Sequence, residues 1–562
     1  MSDEPPAPAD PEPLWALESI PPHLRHRLDA LNGAAISQTA SAYEGFGSFH
    51  SENVEDLIAR EAATYRPPQL PDFAKRVLGQ SELLKMSLIN ENNGSEEKSD
   101  HKNRRQEVNI ENGVIQQCEF GLPFRQEHFS ITAEAVFINH GAFGGSLRGA
   151  LAIKHRYEEL MEREVVEFMD RDLLPLIVYS VRRLAEFFKA DPQQVVLVQN
   201  ATYALNCAMR LIEKDDVVAF LDTEYLSVYK MMYFQCKDVG ADFHEIALSK
   251  YLHDTKVMGD DDALTNVICQ NLPNGCTTVI IDYVTSTSAL CFPLFTHIIP
   301  ALRRHGVIKI IVDGAHAPLQ IDLNFNNLPV EARPSVFVGN LHKWFSVSKS
   351  VGFMWVHERL VDSIRSVVLS HGAGDGLLSE FIWDGTRDYG AYLCIPAVID
   401  FWRAQGLDRV REHCSKLLKG AAGMLTKSFG TRPVARHAPF MSLVELPKEL
   451  QVPRVTAKYI QDLLHDVYKV EVPVKRVEGR FYVRISVFVY NTPSDYSYLR
   501  EAILDIARKW VRLEKQMDFQ KYEAGMTTDS LQLPCDKRIR EEGGCGVSAL
   551  DPGLKRRKSS KF

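Results

Sequence analysis

Six short apolar runs, each continuous and rich in β-branched residues, constrain this chain more than any other feature. They are VVLVQ (195–199), VVAFLD (217–222), TTVIIDYV (277–284), IKIIVDG (308–314), SVFVGN (335–340) and GFMWVHE (352–358). Helix-length segments such as YALNCAMRLIEK and PLFTHIIPALRRHG separate them. A strand that is apolar at every position has both faces covered, and strands linked through crossover helices run mostly parallel. The expected fold class is therefore α/β, with a large domain in which helices sandwich a mostly parallel sheet. Ligands of such sheets bind beyond the carboxyl ends of the strands. After Tyr389 the pattern changes. A long helical stretch leads to shorter strands (MSLVEL, KVEVPV, FYVRISVFV) and a final helix from about Ser494 to Glu514, which predicts a smaller C-terminal α+β domain. ALAIKHRYEELMEREVVEFM reads as a further helical segment packed on one of the two domains.

A chain of 562 residues is too long for one core of ordinary domain size. The expected organisation is an N-terminal extension, largely flexible, over 1–118, a large domain over 119–390, a small domain over 391–520 and a basic tail over 521–562. The extension opens on MSDEPPAPADPEP, holds one short helix around Asn53 to Tyr65, and passes through NENNGSEEKSDHKNRRQEVN, too polar to bury a core of its own. With 65 Lys and Arg against 73 Asp and Glu, the net charge of -8 argues against nucleic acid as a partner. No apolar run approaches the roughly 18 to 20 residues of a membrane-spanning helix, and the acidic, Pro-rich start is the opposite of a secretory signal. The expectation is a soluble cytoplasmic protein. The ten cysteines (Cys118, Cys207, Cys236, Cys269, Cys276, Cys291, Cys394, Cys414, Cys535, Cys545) are scattered and form no C-x-x-C pair. They read as reduced thiols, with no disulfide framework and no metal site.

Three features carry chemistry at predicted strand ends. VVLVQ runs through Asn200, Ala201 and Thr202 into a helix, so free N–H groups and a positive dipole end suit a phosphate, although N-A-T is also a plain helix cap. Asp313 sits where IKIIV, apolar apart from Lys309, runs out, followed by Gly314, Ala315 and His316. A carboxylate there is retained with a cationic or protonated partner, or as an Asx-turn. SVFVGN is followed by Leu341, His342, Lys343 and Trp344. A lysine so flanked is poorly hydrated and its ammonium is easier to deprotonate, as carbonyl chemistry requires, though a lone strand-end lysine also snorkels to the surface. The conjunction matters. A phosphate cradle, a buried Asp and a desolvated Lys, in that chain order on successive α/β units, match the needs of pyridoxal 5'-phosphate.

The motifs NHGAFG (139–144), DGAHA (313–317), GNLHKW (339–344), WDGTRDYGAYL (383–393) and VRISVFVYN (483–491) resemble the class V aminotransferase family of fold type I PLP-dependent transferases. The branch they most resemble holds isopenicillin N epimerase-like proteins and plant L-cysteine desulfhydrases, and the resemblance spans about Phe137 to Ala507. It implies that Lys343 bonds the cofactor aldehyde and that Asp313 protonates its pyridine nitrogen. It further implies that His316 partners the phenolic oxygen, that Ser286 lies near the same oxygen, and that Ala201, Thr202, Asn340 and His342 contact the phosphate. Tyr225 falls where the family stacks a ring on the pyridine. Thr386 matches a residue that reaches the phosphate of a neighbouring subunit, so the resemblance implies a homodimer. Arg484 matches the arginine that clamps the substrate α-carboxylate, with Asn139 and His140 lining the substrate side.

The motifs point to a shared Cα-deprotonated state and leave its fate open. The first expectation is β-elimination at sulfur, giving pyruvate, ammonia and sulfide or a thiol from a small amino-acid substrate. Epimerisation is the alternative and needs a second acid, for which Tyr225, His140 and His371 are the candidates. A catalytically idle scaffold is a third reading, against which the retention of Lys343, Asp313 and Arg484 argues. TRPVARHAPFMS (431–442) contains no cysteine where cysteine desulfurases carry theirs, which disfavours persulfide chemistry. HGAGDG (371–376) reads as a loop at the site's mouth and GDDDAL as a solvated helix start. LKRRKSSKF ends on Ser-Lys-Phe, a variant of a peroxisomal address beside a cluster that also suits a nuclear signal or a plain soluble tail.

Overall fold

A computed structural model of the chain describes residues 53–75 and 119–523. The Pro-rich start, the polar run at 90–109, the basic tail and Cys118, Cys535 and Cys545 lie outside the described residues. The apolar runs become strands of one seven-stranded sheet. Its members are β2 (Val195–Val198), β3 (Val217–Leu221), β4 (Asp242–Ile246), β5 (Thr278–Asp282), β6 (Lys309–Asp313), β7 (Val336–Asn340) and β8 (Gly352–Val356), preceded in the chain by β1 (Val136–Phe137). The spatial order is β2-β8-β7-β6-β5-β3-β4. β7, β6, β5, β3 and β4 pair in parallel, and β8 is antiparallel to both of its neighbours. Apart from β4 and the first residues of β3 and β6, every position of these strands is buried, as continuous apolar runs covered on both faces require. This is the fold type I architecture.

β4 was not legible as a strand. Its sequence DFHEI is polar at three of five positions because it is the sheet's edge, where only Ile246 is buried. The C-terminal part holds β9 (Met441–Glu445), β10 (Val470–Glu471), β11 (Val474–Val477) and β12 (Arg480–Ser486). β12 lies between β11 and β9 in an antiparallel sheet. The run KVEVPV is split at Pro473, which cannot donate to a ladder. Its first half, β10, pairs in parallel with β1, tying the residues before Asn139 to the C-terminal part.

The helix Val54–Ala59 is capped by Asn53, whose Oδ1 accepts from Glu55 N and Asp56 N. Val54, Leu57 and Ile58 are buried against the helix Leu173–Phe187. Arg182 of that helix donates to Ile58 O at 2.7 Å and Arg60 O at 2.8 Å, and its guanidinium lies over the Tyr65 ring. Among the described residues no helix is long and apolar enough to cross a membrane.

Candidate active site

The carboxyl ends of β5, β6 and β7 deliver Asp282, Asp313 and Asn340 to one edge of the sheet, and Lys343 follows three residues after β7. Asp313 is buried, and its Oδ1 accepts from Ala315 N at 2.8 Å, the turn that an aspartate at a strand exit makes. Burial raises the Asp313 carboxyl above its usual range, while the Ala315 N–H and the Lys343 ammonium oppose the shift. Lys343 Nζ lies 3.1 Å from His316 Nε2, and His316 Nδ1 faces the indole N–H of Trp344 at 3.3 Å. The indole only donates, so Nδ1 accepts and the imidazole proton sits on Nε2, directed at the lysine nitrogen. That contact favours an uncharged amine. Burial depresses the Lys343 ammonium to about 8, partly countered by Asp313 and reinforced by Arg484.

Arg484 projects from the middle of β12 and is almost wholly buried. Its NH1 donates to Ser286 O and its NH2 to Asn139 Oδ1 at 3.2 Å, while Nε has no partner. Burial lowers its guanidinium to about 10. A buried arginine without a carboxylate partner is an anion receptor in waiting, because an unpaired buried charge is costly. Ser286 and Asn139 are both half-buried beside it. Thr285 is turned away, with its hydroxyl engaged by Ser288 Oγ at 2.7 Å and by the Leu290 N–H at 2.8 Å.

At the same carboxyl edge, the helix Ala201–Met209 begins beside the end of β7. Asn200 caps it through Tyr203 N at 2.9 Å, and Asn340 Oδ1 accepts from Ala201 N at 2.9 Å. Asn340 thus holds the helix terminus with its oxygen and keeps its amide N–H groups for an anion. Thr202 is exposed at the same terminus. His342 Nδ1 lies 2.9 Å from Val351 O, and burial holds the ring neutral with its pKa down to about 4.

One expected position falls elsewhere. His140 lies behind the lysine and does not line an open substrate face. Its Nδ1 pairs with the Tyr490 hydroxyl at 2.7 Å, its Nε2 with Lys343 O at 3.1 Å, and its ring stacks on Phe488. Both nitrogens are spent, and burial lowers its pKa to about 3, so the side chain braces the lysine's backbone. Thr386 is exposed, after Gly385, and has no place in the single-chain site. Tyr225 is 46% exposed at the start of the helix Leu226–Val239, on the open side of the cleft near Arg484. His371 is likewise exposed. The turn of NHGAFG presses against the lysine loop. A Cβ on Gly144, whose φ is +70°, would stand 2.2 Å from His342 O, so no other residue fits there.

Two buried acids escaped the sequence reading. Glu224, in the turn after β3, and Asp282, the last residue of β5, place carboxyl oxygens within 4.8 Å of those of Asp313. The signal for Asp282 was present, since it ends an apolar run just as Asp313 does.

These residues fit pyridoxal phosphate on grounds internal to the structure. Buried carboxyl groups, a helix terminus with amide donors, a poorly solvated lysine and a buried arginine without a carboxylate partner gather at the carboxyl ends of the strands. Lys343, Asp313, His316, Asn340, His342, Ala201 and Thr202 would hold it.

No family model matches the chain. The protein is 28% identical over 403 residues to a probable chloroplastic L-cysteine desulfhydrase of Arabidopsis thaliana, covering 66% of this chain and 82% of that one. It is 25% identical over 363 residues to the isopenicillin N epimerase of Amycolatopsis lactamdurans, covering 61% and 88%. The chain is a class V aminotransferase-like protein related to L-cysteine desulfhydrases and isopenicillin N epimerases. Among solved structures, the cystine C-S lyase C-DES in complex with cysteine persulfide superposes with a TM-score of 0.55 at 17% identity, covering 66% of this chain and 98% of that one. A C-DES variant with glycine covalently linked to its PLP cofactor superposes equally well, at 18% identity with 68% and 99% covered. At that identity the likeness is one of fold.

Proposed function

We propose that this protein is a PLP-dependent carbon-sulfur β-lyase that cleaves cysteine or a cysteine conjugate. The observation that carries this is the convergence of the buried Lys343, Asp313 and Arg484, with the Arg484 guanidinium lacking a carboxylate partner and its Nε unbonded. When bound, PLP supplies an electron sink for negative charge at Cα. Arg484 and Asn139 receive the α-carboxylate and fix which Cα bond faces the lysine. Lys343, with its ammonium down at about 8, takes the Cα proton near neutral pH and can return it to a departing sulfur. His316 orients the Lys343 nitrogen, and Asp313 holds a proton at the ring nitrogen.

The cysteines support elimination over persulfide transfer. All seven described thiols have their pKa raised by burial, Cys291 to about 12, so none is poised as a thiolate. The segment TRPVARHAPFMS, where desulfurases carry their cysteine, is also pinned. Arg436 donates to Met258 O at 2.7 Å, and Ala438 N to Ala289 O at 2.7 Å. Several relatives carry carbon-sulfur lyase names, the L-cysteine desulfhydrases and a hercynylcysteine sulfoxide lyase of Schizosaccharomyces pombe, while the isopenicillin N epimerases keep the alternative.

The proposal includes a homodimer, in which the exposed Thr386 of each subunit completes the phosphate site of the other. Phe234 and Val367, both exposed, line an open groove with Thr202 and Asn206 of the helix Ala201–Met209, where such a partner would dock. The test is incubation of the PLP-loaded protein with L-cysteine, cystathionine and cysteine sulfoxides, assaying pyruvate and sulfide or thiol. Pyruvate in step with the sulfur product supports the lyase. Cα deuterium exchange without pyruvate replaces it with the epimerase.

A further inference from the structure

The mechanism above uses only one of three carboxyl groups at the ring-nitrogen end. Asp282 and Asp313 are register partners on the neighbouring parallel strands β5 and β6, so their side chains stand side by side on one face. Glu224 reaches the same point from the turn after β3, and the three carboxyl groups lie within 4.8 Å of one another. All are buried, with exposures of 7% for Glu224, 3% for Asp282 and 4% for Asp313. Glu224 Oε1 and Oε2 and Asp282 Oδ2 are sealed from solvent and receive no well-formed hydrogen bond from another residue's donor, while the Glu224 and Asp282 carboxyls face each other closely enough to share a proton. The cations whose fields reach the site are Lys343, on the loop after β7, and Arg484 on β12, and His316 beside them is held neutral. Three carboxylates against that lysine would leave uncompensated negative charge in a dry site, which proteins avoid by retaining protons.

We propose that Glu224 and Asp282 are positioning residues that act as a protonated pair, filling their own vacant hydrogen-bonding capacity and presenting Asp313 as the single carboxylate that faces the cofactor's ring nitrogen. The inference rests on the PLP reading of the site. The local electrostatics run the same way. Burial and the Asp313 charge push Glu224 up to about 8, and burial with the Glu224 and Asp313 charges pushes Asp282 well above the carboxylate range. Asp313 alone of the three is opposed by both a backbone N–H and Lys343. A neutral pair leaves the ring nitrogen one counter-charge of defined position. An ionised pair would spread the proton over several oxygens.

The experiment compares wild-type protein with E224Q, D282N, E224A and D282A, each loaded with PLP labelled with 15N in the ring. Three quantities are read at neutral pH: the ring 15N shift, the PLP dissociation constant, and the infrared C=O band of protonated carboxyl groups. Gln and Asn are permanently neutral donors of the right shape. The ring nitrogen should therefore stay protonated in E224Q and D282N, with PLP affinity near wild type, while the infrared band weakens in each. The alanine variants should shift toward a neutral ring nitrogen and bind PLP about tenfold or more weakly, the cost of a disturbed buried charge. The proposal is overturned if the amide variants behave like the alanine variants, since the negative charge would then be what matters. It is also overturned if the alanine variants keep wild-type ring protonation, or if the loaded protein binds Mg2+ or Mn2+ stoichiometrically at the triad. The appearance of the visible cofactor band separates the two levels. With the band present and the variants discordant, the pair fails and the PLP reading stands. With no band in any protein, both fail.

Discussion

At the scale of single residues, the site is organised around the cost of burying charge. Lys343, Asp313 and Arg484 were legible because each interrupts or ends an apolar run, and a charge in such a place needs a reason. His140 was not, because sequence cannot show that a histidine in a glycine-rich turn will point inward at Tyr490 and the Lys343 carbonyl. Glu224 was missed for a similar cause, since its meeting with Asp313 depends on the order of strands in the sheet. Two outcomes follow at this scale. Arg484→Lys keeps a charge but loses the fork that reaches Asn139 and Ser286, so KM for the amino acid should rise about 10- to 100-fold, with a smaller change in kcat, in steady-state assays. His140 and His316 are held neutral in the folded protein, at about 3 and well below 6.5 respectively, while unfolded histidine titrates near 6.5. Between those values the unfolded chain binds more protons than the folded one. Stability is therefore complete above about 6.5 and falls as pH drops toward the folded values, at up to about 1.4 kcal/mol per pH unit for each histidine. Urea unfolding of the apoprotein from pH 7.5 to 5 measures the slope, and His140→Gln should reduce it.

At the scale of elements, the buried strands were readable and the edges were not. Six apolar runs gave six strands because burial on both faces leaves an unambiguous composition, whereas β4 pays for its exposed edge with Asp242, His244 and Glu245 and so looks like a loop. The KVEVPV run was read as one strand and serves two sheets, a division set at Pro473. The helix Val54–Ala59 shows how a short element becomes ordered by what it docks on. Its Glu55 carboxylate accepts from Ser379 N at 2.8 Å, next to Gly376, and so ties the start of the described chain to the segment that leads into the GT motif. Leu57→Ala should destabilise the protein by about 2 to 3 kcal/mol, as truncation of a buried leucine does, read by denaturant unfolding. Glu55→Ala should weaken PLP binding more than it lowers stability, because the contact it removes supports the loop that carries Thr386.

At the scale of the whole molecule, a single chain brings Lys343, Asp313 and Arg484 together and leaves Thr386 exposed. The exposed Phe234, at 62%, lines one groove with Thr202 at the helix terminus assigned to the phosphate. Sedimentation should therefore find a dimer, and Phe234→Glu should shift it toward monomer with a parallel loss of PLP affinity; a monomeric wild type that binds PLP fully would remove the shared-site proposal. Whether Lys343 carries the cofactor is read by borohydride trapping. The protein is incubated with PLP, reduced, digested and mapped by mass spectrometry. The expected result is loss of the visible band and one pyridoxyl group on the peptide containing Lys343, absent from Lys343→Ala. A protein that takes up no PLP, or carries the label on another lysine, would contradict it.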